Sequence, residues 1–237
     1  MRNRGREALL ACCFAASAIA ADLHGTIIVE KRLTRPNLTA PIGAYGRGVA
    51  VKLNEPSQDA LDFERSHVAI FLEGESGPAQ PASRPLKASI EQKGREFVPD
   101  MVVVPVGSTI SFPNLDPIFH NVFSLSKPRS FDLGNYPRGQ SREVTFPKPG
   151  IVFVYCHLHS NMEASIVISP SRWATRSDAS GHFTLVGVPP GKYTVTAWHK
   201  SAGFFRQTVV VDGDTAPELQ FLIPLKADGT DGHPGSK

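Results

Sequence analysis

Apolar and polar residues alternate along most of the chain with the two-residue period of half-buried strands. Residues 192–198 (Lys-Tyr-Thr-Val-Thr-Ala-Trp) show this pattern most clearly. The pattern predicts strands at 24–31, 48–53, 67–72, 101–106, 108–112, 121–125, 142–146, 151–155, 164–169, 182–186, 192–200, 206–211 and 219–223. Helical periodicity is confined to residues 57–65, where we expect one short helix. The chain is therefore predicted to be an all-β protein.

Three segments interrupt the pattern. Residues 74–85 are rich in Gly, Pro and Ser and are predicted to form a linker. Residues 226–237 are polar and rich in glycine, which predicts a disordered tail. The stretch from Asp178 to Gly181 has the residue types of a hairpin turn.

The first 20 residues have the pattern of a secretory signal peptide. Three arginines within residues 1–7 precede the apolar stretch 8–20, which ends in the cleavage pattern Ala18-Ile19-Ala20. We therefore expect an exported, periplasmic protein that begins at Ala21. The tetrapeptide ending at Cys12 loosely resembles a lipidation box, but the apolar stretch before it is too short and continues past it.

Composition excludes several classes of protein. Hydrophobic residues make up 41% of the 237 residues and charged residues 20%, as in ordinary globular proteins. Without residues 1–20 the chain has 22 basic and 21 acidic residues, so no basic surface for nucleic acid is predicted. No apolar run reaches the roughly 18 residues of a spanning helix, so we expect no membrane span.

Removal of residues 1–20 leaves a single cysteine, Cys156, which could be free, paired between chains or bound to a metal. Cys156, His159 and Met162 form a C-x2-H-x2-M sequence between two predicted strands, and His120 directly precedes another. A thiolate, two imidazoles and a thioether are the ligand types of a copper site with a weak axial methionine.

Other interpretations of these residues remain open. Cys156 and Met162 are also residue types that fill hydrophobic cores. Zinc binds Cys and His well, but it rarely takes a thioether, so Met162 favours copper. His157 follows Cys156 on an extended backbone and should point away from the metal, toward the surface. The remaining histidines have no clustering partner in the sequence and are expected to be structural or solvated: His24, His67, His182, His199 and His233.

Residues 87–169 resemble the blue copper proteins (cupredoxins), which are Greek-key β-sandwiches. The resemblance lies in Val104-Pro-Val-Gly-Ser-Thr-Ile-Ser-Phe-Pro-Asn114, in His120-Asn121-Val122, and in the copper loop 150–162, which has the length found in the amicyanins. It implies one type 1 copper with four ligands: His120, Cys156, His159 and Met162. It also implies that Asn121 fixes the thiolate, that His159 lies at the surface where electrons enter and leave, and that the partners are redox proteins. The loop is shorter than in plastocyanins, and His157 departs from the usual residue, which leaves partner preference open.

Residues 175–193 resemble the carboxypeptidase regulatory-like, transthyretin-like β-sandwich, through Thr175-x2-Asp178-x2-Gly181-x-Phe183-x-Leu185-x2-Val188-Pro-Pro-Gly191-x-Tyr193. This resemblance implies a structural or binding module without catalytic residues. Segment 171–225 lacks the opening strands of such a sandwich, whereas the N-terminal segment has unassigned ones. We therefore expect residues 21–76 and 171–225 to form one discontinuous sandwich, with the copper domain 77–170 inserted. The rival arrangement is a copper domain with an N-terminal extension, followed by an independent C-terminal module.

These expectations favour an exported carrier of single electrons that is not an enzyme, since no second set of histidines is present for a catalytic copper. Two alternatives stay open: a copper-binding or copper-delivery protein without a redox partner, and an envelope interaction module whose metal is structural. The sequence leaves the oligomeric state open.

Overall fold

The computed structural model describes residues 20–34, 60–76, 84–213 and 215–224. These residues form one short helix, α1 (Ala60–Ser66), and seventeen strands, which confirms the all-β prediction. The strands are β1 (Ala21–Val29), β2 (Val68–Ser76), β3 (Lys87–Ser89), β4 (Glu91–Lys93), β5 (Glu96–Val98), β6 (Met101–Pro105), β7 (Thr109–Pro113), β8 (His120–Ser124), β9 (Phe131–Tyr136), β10 (Ser141–Thr145), β11 (Gly150–Tyr155), β12 (Glu163–Ser169), β13 (Ala174–Arg176), β14 (His182–Val188), β15 (Gly191–His199), β16 (Gly203–Val211) and β17 (Leu219–Ile223).

Strands from both ends of the chain pair in two sheets, which we call the terminal sandwich. One sheet has the order β14-β1-β17, and the other has the order β13-β2-β15-β16. Alternate residues of β1 are buried, as its sequence pattern requires, and they pack between the two sheets. The core includes residues of both sheets, among them Leu23, Ile27, Ile70, Val195 and Phe221.

The middle of the chain forms a second pair of sheets, which we call the middle sandwich. Its sheets have the orders β10-β7-β3 and β6-β12-β11-β8-β9, and the short hairpin β4–β5 lies beside them. Strand β11 lies between β12 and β8 and pairs with both in antiparallel fashion. The core of this sandwich contains Ile110, Phe112, Val152, Ile166 and other apolar residues from both sheets.

The two sandwiches pack against each other through a third apolar cluster. Strand β2 is apolar at successive positions because both of its faces are buried. Ile70 belongs to the terminal core, whereas Ala69 and Phe71 pack with Trp198 of β15 and Val167 of β12. The continuous apolar run in this strand thus reflects its place between two cores.

The observed elements correct the predicted ones in several places. The predicted linker is wrong at its start, because residues 74–76 complete β2 and pair with the beginning of β15. In the turn at 178–181, the N–H of Gly181 donates to the carbonyl of Asp178 at 2.9 Å. The turn leads from β13 to β14, which lie in different sheets, so the hairpin prediction is wrong. The sequence pattern missed five short or glycine-containing strands: β3, β4, β5, β9 and β13.

Several sequence predictions fall outside the described residues. These are the signal peptide up to residue 19, the strand at 48–53, most of the linker and the tail. The domain boundaries, and the assignment of the terminal sandwich to the transthyretin-like family, stay predictions. The one helix among the described residues, α1, is not long and apolar enough to cross a membrane.

Candidate metal centre

The candidate ligands converge because their strands are neighbours in one sheet. His120 is the first residue of β8, and Cys156 directly follows β11, with which β8 pairs. His159 and Met162 lie in the short loop between β11 and β12, where the N–H of Met162 donates to the carbonyl of His159 at 3.1 Å. Two rigid strands and a tight turn therefore set the positions of these side chains.

Three of the four candidate ligands form a compact cluster. Their potential ligand atoms all lie within 4.8 Å of one another: one nitrogen each of His120 and His159, and the sulfur of Cys156. Nδ1 of His120 lies 3.1 Å from Nδ1 of His159, and Sγ of Cys156 lies 4.0 Å from the former and 3.8 Å from the latter. A point equidistant from these three atoms is about 2.1 Å from each, close to the metal–ligand bond lengths of protein metal sites.

Burial differs between the two histidines. His120 is fully buried and Cys156 nearly so, whereas His159 is half-buried. Burial lowers the pKa of His159, and the neighbouring His120 and Arg95 lower it further, against the opposing effect of Asp116. A lowered pKa favours the neutral imidazole that metal binding requires.

Asp116 orients the ring of His120, a contact that the sequence analysis missed. Oδ2 of Asp116 lies 2.8 Å from Nε2 of His120, so the Nε2–H donates to the carboxylate and Nδ1 keeps its lone pair for a metal. The N–H groups of Gly94 and Arg95 donate to the same carboxylate at 2.7 and 2.8 Å. Both residues have a positive φ, as a two-residue turn of type I′ requires, and this turn aims their N–H groups at Asp116.

The pKa of Asp116 is lowered by these contacts. Burial raises it, but the hydrogen bonds from Arg95 and Gly94 and the proximity of His120 together outweigh the burial. Asp116 therefore carries its charge next to His120. The spacing of four residues between them in the sequence was the available signal, since a carboxylate is a common partner of a ligating histidine.

Asn121 joins the two ligand-bearing segments. Its backbone N–H donates to Sγ of Cys156 at 3.5 Å, and its side-chain oxygen accepts from the N–H of His157 at 3.4 Å. The side-chain NH₂ donates to Asp132 at 2.7 Å. The position of Asn121 thus suits the role that the family resemblance implies for it.

The other two residues singled out in this loop face different surroundings. Met162 is buried and packs in the same core cluster as Cys156. The side chain of His157 is 55% exposed, and its ring stacks on Phe123 with centroids 3.7 Å apart. His157 therefore lies on the surface, outside the cluster.

Two of the histidines without a clustering partner in the sequence have carboxylate partners in the structure. Nε2 of His67 lies 3.0 Å from Asp100, and Nε2 of His199 lies 3.0 Å from Glu64. His24 and His182 contact Thr184 and Thr26 respectively.

Comparison with known proteins gives partial likenesses only. No protein-family model matches the chain, and the search of curated proteins found no match. Among solved structures, a purple cupredoxin from Nitrosopumilus maritimus is 22% identical over 35% of this chain and 99% of its own, with a TM-score of 0.32. A copper-containing nitrite reductase from Thermus scotoductus is 25% identical over 40% of this chain and 25% of its own, with a TM-score of 0.34. A methionine-to-glutamine variant of amicyanin in the Cu(I) form is 18% identical over 35% of this chain and 81% of its own, with a TM-score of 0.33.

Proposed function

We propose that His120, Cys156 and His159 bind one copper ion as a type 1 site, with Met162 as the weak axial ligand. The protein is then an exported, periplasmic carrier of single electrons between redox proteins, and not an enzyme. Export rests on the pattern of residues 1–20 alone.

The observation that carries this proposal is the meeting of one buried thiol and two imidazole nitrogens within 4.8 Å. Soft thiolate and borderline imidazole ligands in this combination suit copper. The hydrogen bond to Asp116 leaves Nδ1 of His120 free, and Nδ1 of His159 faces the same point. The donor set and its spacing therefore fit the ion.

Copper supplies one-electron exchange between its two oxidation states when it is bound. The protein holds its side chains in place for that purpose. His120 and Cys156 lie at the ends of paired strands. We therefore expect the positions of these ligands to change little between the two oxidation states of copper. The half-buried ring of His159 connects the cluster to the surface.

Exposed apolar side chains beside the cluster support docking of a redox protein. Phe119, which precedes His120, is 57% exposed, and Leu158, which precedes His159, is 49% exposed. Large apolar side chains that stay exposed next to a functional site are typical of surfaces that bind another protein.

Voltammetry of the copper-loaded protein tests electron carriage and the axial ligand together. We expect a reversible one-electron wave, and Met162→Leu should raise the reduction potential by about 60 mV or more, a tenfold change in a one-electron equilibrium. Loss of a weak axial donor disfavours Cu(II). Met101→Leu is the matched control, because Met101 is also buried but packs between the sandwiches. An unchanged potential in Met162→Leu would remove Met162 from the ligand set.

An irreversible wave, with ready transfer of copper to an acceptor, would favour copper delivery over electron carriage.

A further inference from the structure

The contact between the side chain of Asn121 and the thiol segment is long and needs support. The backbone N–H of Asn121 donates to Sγ of Cys156 at 3.5 Å, an ordinary distance for a sulfur acceptor, whereas its side-chain oxygen lies 3.4 Å from the N–H of His157. Hydrogen bonds near the limit of accepted geometry restrain a side chain weakly. Another group must therefore hold the Asn121 amide in this orientation.

Asp132 of β9 makes the shortest contact with that amide. Its Oδ1 accepts from the side-chain NH₂ of Asn121 at 2.7 Å and from the N–H of Gly134 at 2.8 Å. Gly134 has a φ of +65°, which brings its N–H back to the carboxylate two residues before it. Both donors lower the pKa of Asp132, with the Gly134 N–H having the larger effect, so the acceptor is ionised.

The strand geometry brings Asp132 to this position. The register between β8 and β9 shifts between Asn121 and Phe123, and Phe123 then pairs with Asp132. A register irregularity of this kind redirects a side chain and is common next to functional sites. The other carboxylate oxygen of Asp132 lies 3.6 Å from Nε2 of His157, whose ring stacks on Phe123. Asp132 thus contacts both residues that follow the ligands His120 and Cys156 in the sequence.

We propose that Asp132 is a positioning residue for the metal centre: it fixes the side-chain amide of Asn121, which ties the His157 N–H to the start of β8 and so holds the backbone N–H of Asn121 against the sulfur of Cys156. This role rests on the proposed copper site for its effect on potential, because hydrogen bonding around the cysteine sulfur tunes such centres. Its effect on Asn121 itself is present without metal.

Amide hydrogen exchange in the metal-free protein tests the positioning directly. Asp132→Ala should accelerate exchange of the Asn121 and His157 N–H groups about fivefold, the loss of a hydrogen bond worth about 1 kcal/mol. Asp132→Asn keeps an acceptor oxygen and should stay within about twofold of the unchanged protein. Asp132→Ser keeps a hydroxyl that can accept from the Gly134 N–H, so the local turn should be preserved. The serine side chain is too short to reach the Asn121 amide, so exchange of the Asn121 and His157 N–H groups should accelerate as in Asp132→Ala. Glu143→Gln removes an exposed carboxylate from β10 of the same sandwich and should change nothing.

The reduction potential of the copper-loaded variants distinguishes a positioning role of Asp132 from an effect of its negative charge. Asp132→Ala should lower the potential, because a weaker hydrogen bond leaves the thiolate a stronger donor to Cu(II). Asp132→Asn should not lower it. A rise shared by both variants would mean that the carboxylate acts through its charge alone, and unchanged exchange at Asn121 in Asp132→Ala and Asp132→Ser would overturn the positioning role. Absence of copper binding in the unchanged protein would defeat the proposed function but leave the exchange result valid.

Discussion

A buried histidine paired with a carboxylate occurs in each sandwich, but the second ring nitrogen has different surroundings. In the middle sandwich, Nε2 of His120 lies 2.8 Å from Asp116. Its Nδ1 faces the ring nitrogen of His159 at 3.1 Å and the sulfur of Cys156 at 4.0 Å. This histidine keeps a lone pair directed at two other potential metal ligands.

In the terminal sandwich, both nitrogens of the buried histidine have a close neighbour that lies outside the cluster of potential metal ligands. Nε2 of His199 lies 3.0 Å from Glu64, and Nδ1 accepts from the N–H of Ser201 at 3.2 Å. Oε1 of Glu64 in turn accepts from the backbone N–H groups of Leu33 and Thr34. Burial lowers the pKa of His199, against the opposing effect of Glu64, which favours the neutral ring. This pair has the contacts of a structural hydrogen-bond network.

The comparison shows that a histidine–carboxylate pair does not by itself identify a metal site. What distinguishes His120 is the partner of its other nitrogen. The burial of the two histidines is the same, since both are fully buried. Variants at His199 should therefore lower stability without loss of copper binding, whereas variants around His120 should lower copper binding.

The largest expected difference lies between fragments of the two sandwiches. A fragment of residues 171–237 lacks β1 and β2, which lie inside the sheets of the terminal sandwich, so it should not fold alone. A fragment of residues 77–170 contains all strands of the middle sandwich, β3 to β12, and it should fold and bind copper. Circular dichroism with thermal melting measures both. A cooperative transition in 171–237 would support an independent C-terminal module in place of the inserted arrangement.

Removal of His199 should affect stability and leave the metal centre intact. His199→Leu removes the ring nitrogen that lies 3.0 Å from the buried Oε2 of Glu64 and leaves this carboxylate against an apolar side chain, which should lower the free energy of unfolding by about 2–3 kcal/mol. Urea denaturation measures this, and copper affinity should be unchanged. His182→Leu is the matched control, because His182 is exposed on β14 and should change stability by less than about 0.5 kcal/mol. Equal stability of both variants would show that the buried pair contributes nothing.

Removal of Asp116 should weaken copper binding, and the expected effect is smaller than that of His199→Leu on stability. Asp116→Ala removes the acceptor that orients His120, and it should lower copper affinity about 10- to 100-fold. Asp116→Asn keeps an acceptor oxygen and should lose less. Competition titration with a copper chelator gives both values, and thermal melting checks that the β4–β5 turn remains folded. Unchanged affinity in Asp116→Ala would mean that the strand alone orients the ring.

The sequence was informative where chemistry and periodicity coincide. The C-x2-H-x2-M spacing identified the loop, and His120 preceded a predicted strand, so three clustered side chains could be named before their distances were known. The long strands, such as β1, β12 and β15, were also predicted, because their burial follows the alternating pattern or a continuous apolar run.

The missed features depend on contacts between distant segments. Strand β9 (Phe-Asp-Leu-Gly-Asn-Tyr) contains Asp, Gly and Asn, which are depleted in strands, so its propensity argues against it. It pairs with β8 nonetheless and brings Asp132 to Asn121. Asp116 has only its four-residue spacing from His120 as a signal in the sequence, and Glu64 has none, since His199 is distant in the chain and only the fold brings the two together.

The central claim is that Cys156 binds copper together with His120 and His159, and the visible spectrum tests it most directly. Cu(II) titration of the protein from residue 21 onward should saturate at one equivalent with the intense thiolate-to-copper absorption of a type 1 site. Cys156→Ser should abolish this band, because no other cysteine follows residue 20. A colourless Cu(II) complex, or a protein that binds zinc at this cluster and excludes copper, would contradict the account.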